Sequence, residues 1–250
     1  NIGNRKALLE VKRRISSLDI DFLPQEGSLN QLIEDHPFSL FPQIVSTERP
    51  DRASSFIMEG KVLYISNGTP IASAAPASLV HMLHTSEDTS LRWMYGTFIR
   101  FVRLIAILTA TFLPGLYLAL SLFHQEMIPT ELLEVMQKSR ENVPFAVILE
   151  VLILELMFEI IRESGIRVPG TVGQTMGMVG SIILGQAAIS AGLVSPMVII
   201  VVAVTAMSGF AIPNYQVSFG VRLARYFFTL TGAAAGFYGI SAGICIFFGL

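Results

Sequence analysis

Charge is scarce in this chain. Asp, Glu, Lys and Arg make up 14% of its 250 residues, against about 25% in an ordinary soluble domain, and so low a content excludes one. The shortage is also uneven. Residues 1–96 hold nine Lys and Arg with 11 Asp and Glu, whereas the longer stretch 97–250 holds eight of each, so two chemistries join near residue 97. Cysteine is nearly absent: the single Cys245 excludes an internal disulfide framework and any multi-Cys metal site. A formal net charge of -2 gives no general pull toward nucleic acid, and none is expected as a partner. No Gly-rich phosphate loop followed by Lys, no GxSxG and no HExxH occurs, which removes the usual sequence routes to ATPase, hydrolase and metalloprotease. The expectation is therefore a protein that is not an enzyme. His81 and His84 stand three apart without Cys or carboxylate ligands at helical spacing, so neither metal nor cofactor is expected. The chain begins at Asn1 with no charged stretch leading into a short apolar run, so no signal peptide is visible.

What the second part has in abundance is apolar sequence. Leu104 to Phe123 is uncharged over 20 residues, enough at 1.5 Å per residue to cross about 30 Å of hydrocarbon. From Val168 to Val221 there are 54 residues without charge or His, broken at Leu193 to Pro196, and Tyr226 to Leu250 adds another uncharged run. These give spans at about 98–123, 171–193, 196–219 and 226–250. The segment 145–161 is apolar but carries Glu150, Glu155 and Glu159. If it spans, Arg92, Arg100, Arg103, Arg162, Arg167, Arg222 and Arg225 share the N-terminal side, with Lys138 and Arg140 opposite. Short cytoplasmic loops carry the excess of Lys and Arg, so the segment reads as a fifth span with the N-terminal domain cytoplasmic. Trp93 and Tyr95 sit where an aromatic belt anchors the first span.

Ionised acids at the centre of a membrane helix cost on the order of 3 kcal/mol each, so the three glutamates should face protein or water. Glu155 and Glu159 lie on one helix face, Glu150 on another. Arg162 can offset Glu159 one turn away, whereas Glu155 has no basic residue within a turn. Two readings stand: acids buried by pairing or protonation, or the lining of an ion pathway. Thirteen of the 20 glycines lie in residues 170–250. Gly173, Gly177, Ser181 and Gly185 recur every fourth residue, and Gly239 with Gly243 repeats the pattern in the last span, a device for close helix packing. That packing is either within one subunit or around an axis of copies, with Gln174 and Gln186 facing a lumen. Pro114-Gly115 and Pro213-Asn214 mark kinks.

The charged part predicts helix over residues 5–35, with Leu8, Val11 and Ile15 on one face and Ser28 with Gln31 as a capping box. Lys12, Arg13 and Arg14 form either a solvated face or a contact with anionic lipid. Phe56–Met58, Lys61–Ser66 and Thr69–Ala75 read as strands, with Asn67-Gly68 as a hairpin turn. The fold class expected is an α-helical polytopic membrane domain of about five spans, residues 97–250, preceded by a small α+β cytoplasmic domain, residues 1–96.

Several stretches together are specific: EVKRRISSLDID (Glu10 to Asp21), FPQIVSTERPDR (Phe41 to Arg52), MEGKVLYISNGTP (Met58 to Pro70), MIPTELL (Met127 to Leu133), LMFEIIRESGIRVP (Leu156 to Pro169) and GQAAISAGLVSP (Gly185 to Pro196). In these the chain resembles the A subunit of the GerA-type spore germinant receptors and its SpoVAF-like paralogues. Asn142 and Ala146 depart from the family's Gly and Pro around VPF. The resemblance implies a cytoplasmic domain, here lacking its first part, and a membrane domain in the inner membrane of the bacterial spore. It also implies a transporter-like B subunit that recognises the nutrient, a lipoprotein C subunit, and a homo-oligomeric ring of five A subunits that conducts cations on germination. It offers no catalytic residues. The expected function is thus a nutrient-gated ion channel subunit that releases cations as germination begins. The alternative is a secondary transporter or a non-conducting membrane scaffold; a transporter often shows repeated halves, and no internal repeat is evident. Glu150, Glu155, Glu159, Gln174 and Gln186 are the ion-pathway candidates.

Overall fold

The computed structural model describes residues 4–21, 25–36, 39–85, 88, 91–167 and 171–249, without the side chains of residues 79, 80, 166, 167, 171–178, 181, 182 and 248. The chain divides into two compact units: Asn1–Leu104 with Ile212–Gly220, and Ile105–Ala211 with Val221–Leu250.

The first unit is mixed. Helix α1 (Arg5–Ser16) starts at Asn4, whose side chain accepts the Ala7 N–H at 3.1 Å, satisfying one of the free first-turn donors. Its basic residues pair within the chain. Arg13 and Arg14 both bind Glu10, and Arg14 also reaches Asp35 at 2.6 Å; hydrogen bonds from Arg13 and Arg14 hold the Glu10 carboxyl down at about 2. Helix α2 (Glu26–Ile33) begins after Gln25, so Ser28 lies inside the first turn and does not cap it. Strand β1 (Val45–Thr47), helix α3 (Pro50–Met58), strands β2 (Val62–Ile65) and β3 (Ala72–Ala75) and helix α4 (Leu79–Leu83) follow. Phe56–Met58 is thus the end of a helix and not a strand. Pro50 at the first helical position and Asp51 in the first turn start that helix, and a three-residue apolar run cannot itself specify a period. The three strands form an antiparallel sheet in the order β1-β3-β2, with Val45 opposite Ala74 and Leu63 opposite Ala74 on its other side. Asn67-Gly68 forms the expected turn, with Gly68 at φ 89°, a conformation that L side chains rarely adopt. Leu29, Ile33, Ile44 and Ala75 make the core against Val11, Ile15, Leu18 and Tyr64. Where α5 (Trp93–Leu122) begins, Arg103 binds buried Asp88 at 2.8 Å.

The second unit is helical: most of α5, α6 (Thr130–Lys138), α7 (Val147–Arg167), α8 (Thr171–Ser190), α9 (Pro196–Phe210) and most of α10 (Tyr215–Gly249). One core joins Tyr117 and Leu118 of α5, Val147, Val151 and Leu154 of α7, and Val198 and Val202 of α9. The break after α8 falls where Gly192 and Pro196 place it. The Leu193 N–H returns to the Ala188 carbonyl at 3.0 Å, Gly192 takes φ 64°, and Pro196 opens α9, a glycine-terminated end followed by a proline start.

The expectation of about five spans is overturned. Among the described residues only Trp93–Leu122 and Tyr215–Phe247 are long and apolar enough to cross a membrane. Helix α9 has 15 residues, roughly 22 Å, well short of a hydrocarbon core of about 30 Å. Helix α7 carries three glutamates along its apolar run together with Arg162, Glu163 and Arg167, too much charge for a lipid-facing rod. The last run is not one rod either. Ala235 (φ -143°, ψ 20°) and Gly236 (φ 60°, ψ -138°) leave helical geometry, and beyond them the chain doubles back: Phe247 stacks beside Phe227 and Phe228, with ring centroids 6.2 Å and 5.5 Å away.

Candidate functional site

Helix α7 presents its acids to partners brought from far along the sequence. Four charged side chains converge between α7 and α10. Glu155, 1% exposed, faces Arg225, 5% exposed, with Nε and Oε1 3.4 Å apart. Glu159 binds Arg222 directly and lies 3.9 Å from Arg225 Nη2. The spacings make this possible: acids four apart and arginines three apart each put two charges on one helix face. Two cations and two anions sum to zero, which is what lets charges stay buried, since each ion alone would cost several kcal/mol to desolvate. Arg225 also lies over the Tyr226 ring at 5.4 Å.

Glu155 therefore has a basic partner, 70 residues away in sequence, that no helical-turn argument could find. Arg162 does not serve Glu159. It donates to the Ala206 carbonyl at 3.3 Å and covers the Phe210 ring at 4.6 Å. Arg222 and Arg225, read from sequence as loop positives, are buried inside the helical unit.

Glu150 makes a separate centre. It is fully buried, accepts the Ser195 N–H at 2.8 Å, and lies 3.3 Å from Arg140 Nη2. The acceptor thus sits at the start of α9, where unpaired N–H groups and the helix dipole favour an anion.

The small residues sort differently. Gly239 and Gly243 stand at close contacts inside the turned-back end of α10: a Cβ at Gly239 would lie 2.0 Å from the Thr231 carbonyl oxygen, and one at Gly243 would meet Phe227, Phe228 and Thr231 at 3.2–3.3 Å. Gly115 and Gly232 bring α5 and α10 together backbone to backbone, each with a Cβ position 2.5 Å from a main-chain oxygen of the other helix. Gly185 has open space around its Cβ position and Gln186 is exposed. Gln174, Gly173, Gly177 and Ser181 lie in α8 outside the residues whose surroundings are described. The described residues contain no cluster of three His, Cys, Asp or Glu able to hold a metal.

The family described as Bacillus/Clostridium GerA spore germination protein matches residues 1–250. Spore germination protein B1 of Bacillus subtilis is 43% identical over 92% of this chain and 48% of its own length. Spore germination protein KA of the same species is 42% identical over 99% of this chain and 45% of its own. The uncharacterized membrane protein YfkQ of Bacillus subtilis is 34% identical over 98% of this chain and 48% of its own. The chain thus spans about half the length of these curated relatives. No solved structure matches it. A match along the whole chain, carried by both the mixed unit and the helical one, places this protein in the GerA family of spore germination proteins.

Proposed function

We propose that this chain is the core of a membrane subunit of a spore germinant receptor, an oligomer whose opening by nutrient releases cations at the start of germination. The observation that carries the reading is the family match over all 250 residues, together with two helices long and apolar enough to span a membrane. The subunit works in the inner membrane of the spore with its mixed unit on the cytoplasmic side. A transporter-like B subunit and a lipoprotein C subunit complete the receptor, and copies of this chain, five to a ring, enclose the path. No catalytic step belongs to this reading.

A second reading rests on the ion-pair lattice. Because Glu155 and Glu159 are matched by Arg225 and Arg222, the acids serve cohesion and the subunit acts as a non-conducting scaffold. Potassium release from nutrient-triggered spores separates the two. Spores whose full-length subunit carries Glu155→Gln together with Arg225→Gln keep normal release under the scaffold reading, provided the subunit reaches the membrane at normal level. Under the channel reading, with the lattice beside the path, release slows at unchanged subunit level.

A further inference from the structure

Five polar atoms from four parts of the helical unit are buried around Glu150 without a hydrogen-bond partner among the described residues: Tyr117 Oη, Ser121 Oγ, Arg140 Nε, Glu150 Oε1 and Ser195 Oγ. They are neighbours: the Tyr117 hydroxyl stands close to those of Ser121 and Ser195 and in the field of Arg140 and Glu150, yet none of these approaches has the geometry of a formed hydrogen bond. Buried polar atoms are almost always satisfied, by protein or by ordered water, and leaving one orphaned costs about 1–3 kcal/mol. Five together in one place are not a scatter of defects. Their chemistry is mixed, with three hydroxyls, one guanidinium N–H and one carboxylate oxygen, which suits molecules that both donate and accept.

Next to this cluster lies a cavity of about 420 Å³, lined by Ser139, Asn142, Val143, Gly192, Val194 and Pro196 among others. Its walls are the sequence neighbours of the orphaned groups: Ser139 precedes Arg140, and Val194 and Pro196 bracket Ser195. Arg140 keeps 29% of its side chain exposed while Glu150 keeps none, so the pair joins a partly open residue to a closed one.

We propose that the cluster is the inner end of an aqueous chamber entered through this cavity, by which water and small hydrophilic solutes reach Glu150. The inference goes beyond the receptor reading and does not depend on ion conduction. The protein's single cysteine, Cys245, is exposed, so a Cys245→Ser background allows placed cysteines to report access. In the full-length protein in detergent, the probe is 2-aminoethyl methanethiosulfonate, a small cationic thiol reagent. Ser195→Cys and Ser121→Cys, both at buried positions, should react within about tenfold of the rim position Ser139→Cys. Val198→Cys, equally buried but in the apolar core, should be on the order of 100-fold slower, because thiol chemistry follows access and thiolate character. Coupling a bulky maleimide to Asn142→Cys at the entrance, before the reagent is added to Ser121→Cys, should slow the inner reaction. The proposal is overturned if Ser195→Cys and Ser121→Cys are both as inert as Val198→Cys in folded protein, or if plugging Asn142→Cys leaves the inner rate unchanged. Should one inner variant fail to fold, the other reads the same chamber.

Discussion

Phe228 and Phe247 stand with ring centroids 5.5 Å apart, although a straight helix would hold residues nineteen apart at roughly 28 Å. Their contact makes the end of the chain a hairpin about ten residues deep, reversed at Ala235-Gly236. The arm before the reversal, Tyr215 to Ala234, has 20 residues, roughly 30 Å and a full hydrocarbon layer, whereas the arm after it, Gly236 to Gly249, has 14, roughly 21 Å, so the tail returns part of the way toward the level from which it came. Cysteines replacing Phe227 and Phe247 in a Cys245→Ser chain should be joined within one molecule by a short bifunctional maleimide. Failure to cross-link, with both cysteines singly reactive, would restore a continuous rod.

The reversal depends on glycine at two positions for different reasons. Gly236 holds φ 60° with ψ -138°, a region essentially closed to other residues at a cost of about 1–3 kcal/mol, and a Cβ there would also press on the His124 ring at 2.9 Å. Gly239→Ala faces main chain at 2.0 Å, which cannot yield as a flexible side chain can. Both Gly236→Ala and Gly239→Ala should lower the thermal midpoint of the purified protein, whereas Gly185→Ala, with open space around it, should leave it unchanged.

Glu155 and Arg225 are both buried, so removing either strands the other. Glu155→Gln or Arg225→Gln alone should destabilise by about 3–5 kcal/mol, while replacing both by well-packed neutral residues should recover much of the loss. Glu159→Gln should cost less, because its side chain is 31% exposed. Denaturant midpoints of the four variants in one detergent measure the coupling; additive losses in the double variant would show that the pair does not interact.

The mixed unit should respond to acid through Asp88. Burial alone would raise its carboxyl, but bonds from Arg103 and Thr85 outweigh that and hold it at about 2. A depressed carboxyl contributes stability that is complete above its unfolded value near 3.8 and is lost as pH falls through about 2. Glu26 should behave oppositely. It is 2% exposed and bonded by the Ser73 hydroxyl, and burial pushes its carboxyl up, so the protein loses stability as pH rises through that raised value. Melting curves from pH 2 to 8 should therefore show an acid loss that Asp88→Asn reduces, with Glu10 contributing the rest, and a loss at higher pH that Glu26→Gln reduces. Unchanged profiles in these variants would remove both groups from the pH response.

The sequence by itself determined the features that depend on a few adjacent residues. The Asn67-Gly68 hairpin, the break at Leu193 to Pro196 and the uncharged run from Leu104 to Phe123 were all legible, because a turn glycine, a helix-opening proline and an uncharged stretch act locally. So was the family, from stretches such as TERPDR and EGKVLYISNGTP. The number of crossing helices was not, since an uncharged run states how long a segment is and not where the backbone reverses; Ala233 to Gly236 suits a packed helix as well as a turn. Nor were the partners of the buried acids. Glu155 was read as unpaired because its own helix offers it no cation, and only tertiary packing of α10 against α7 brings Arg225 within 3.4 Å. Burial forces that choice, because an ion removed from water must find its counter-ion wherever the fold supplies one, and sequence distance has no bearing on which arginine that is.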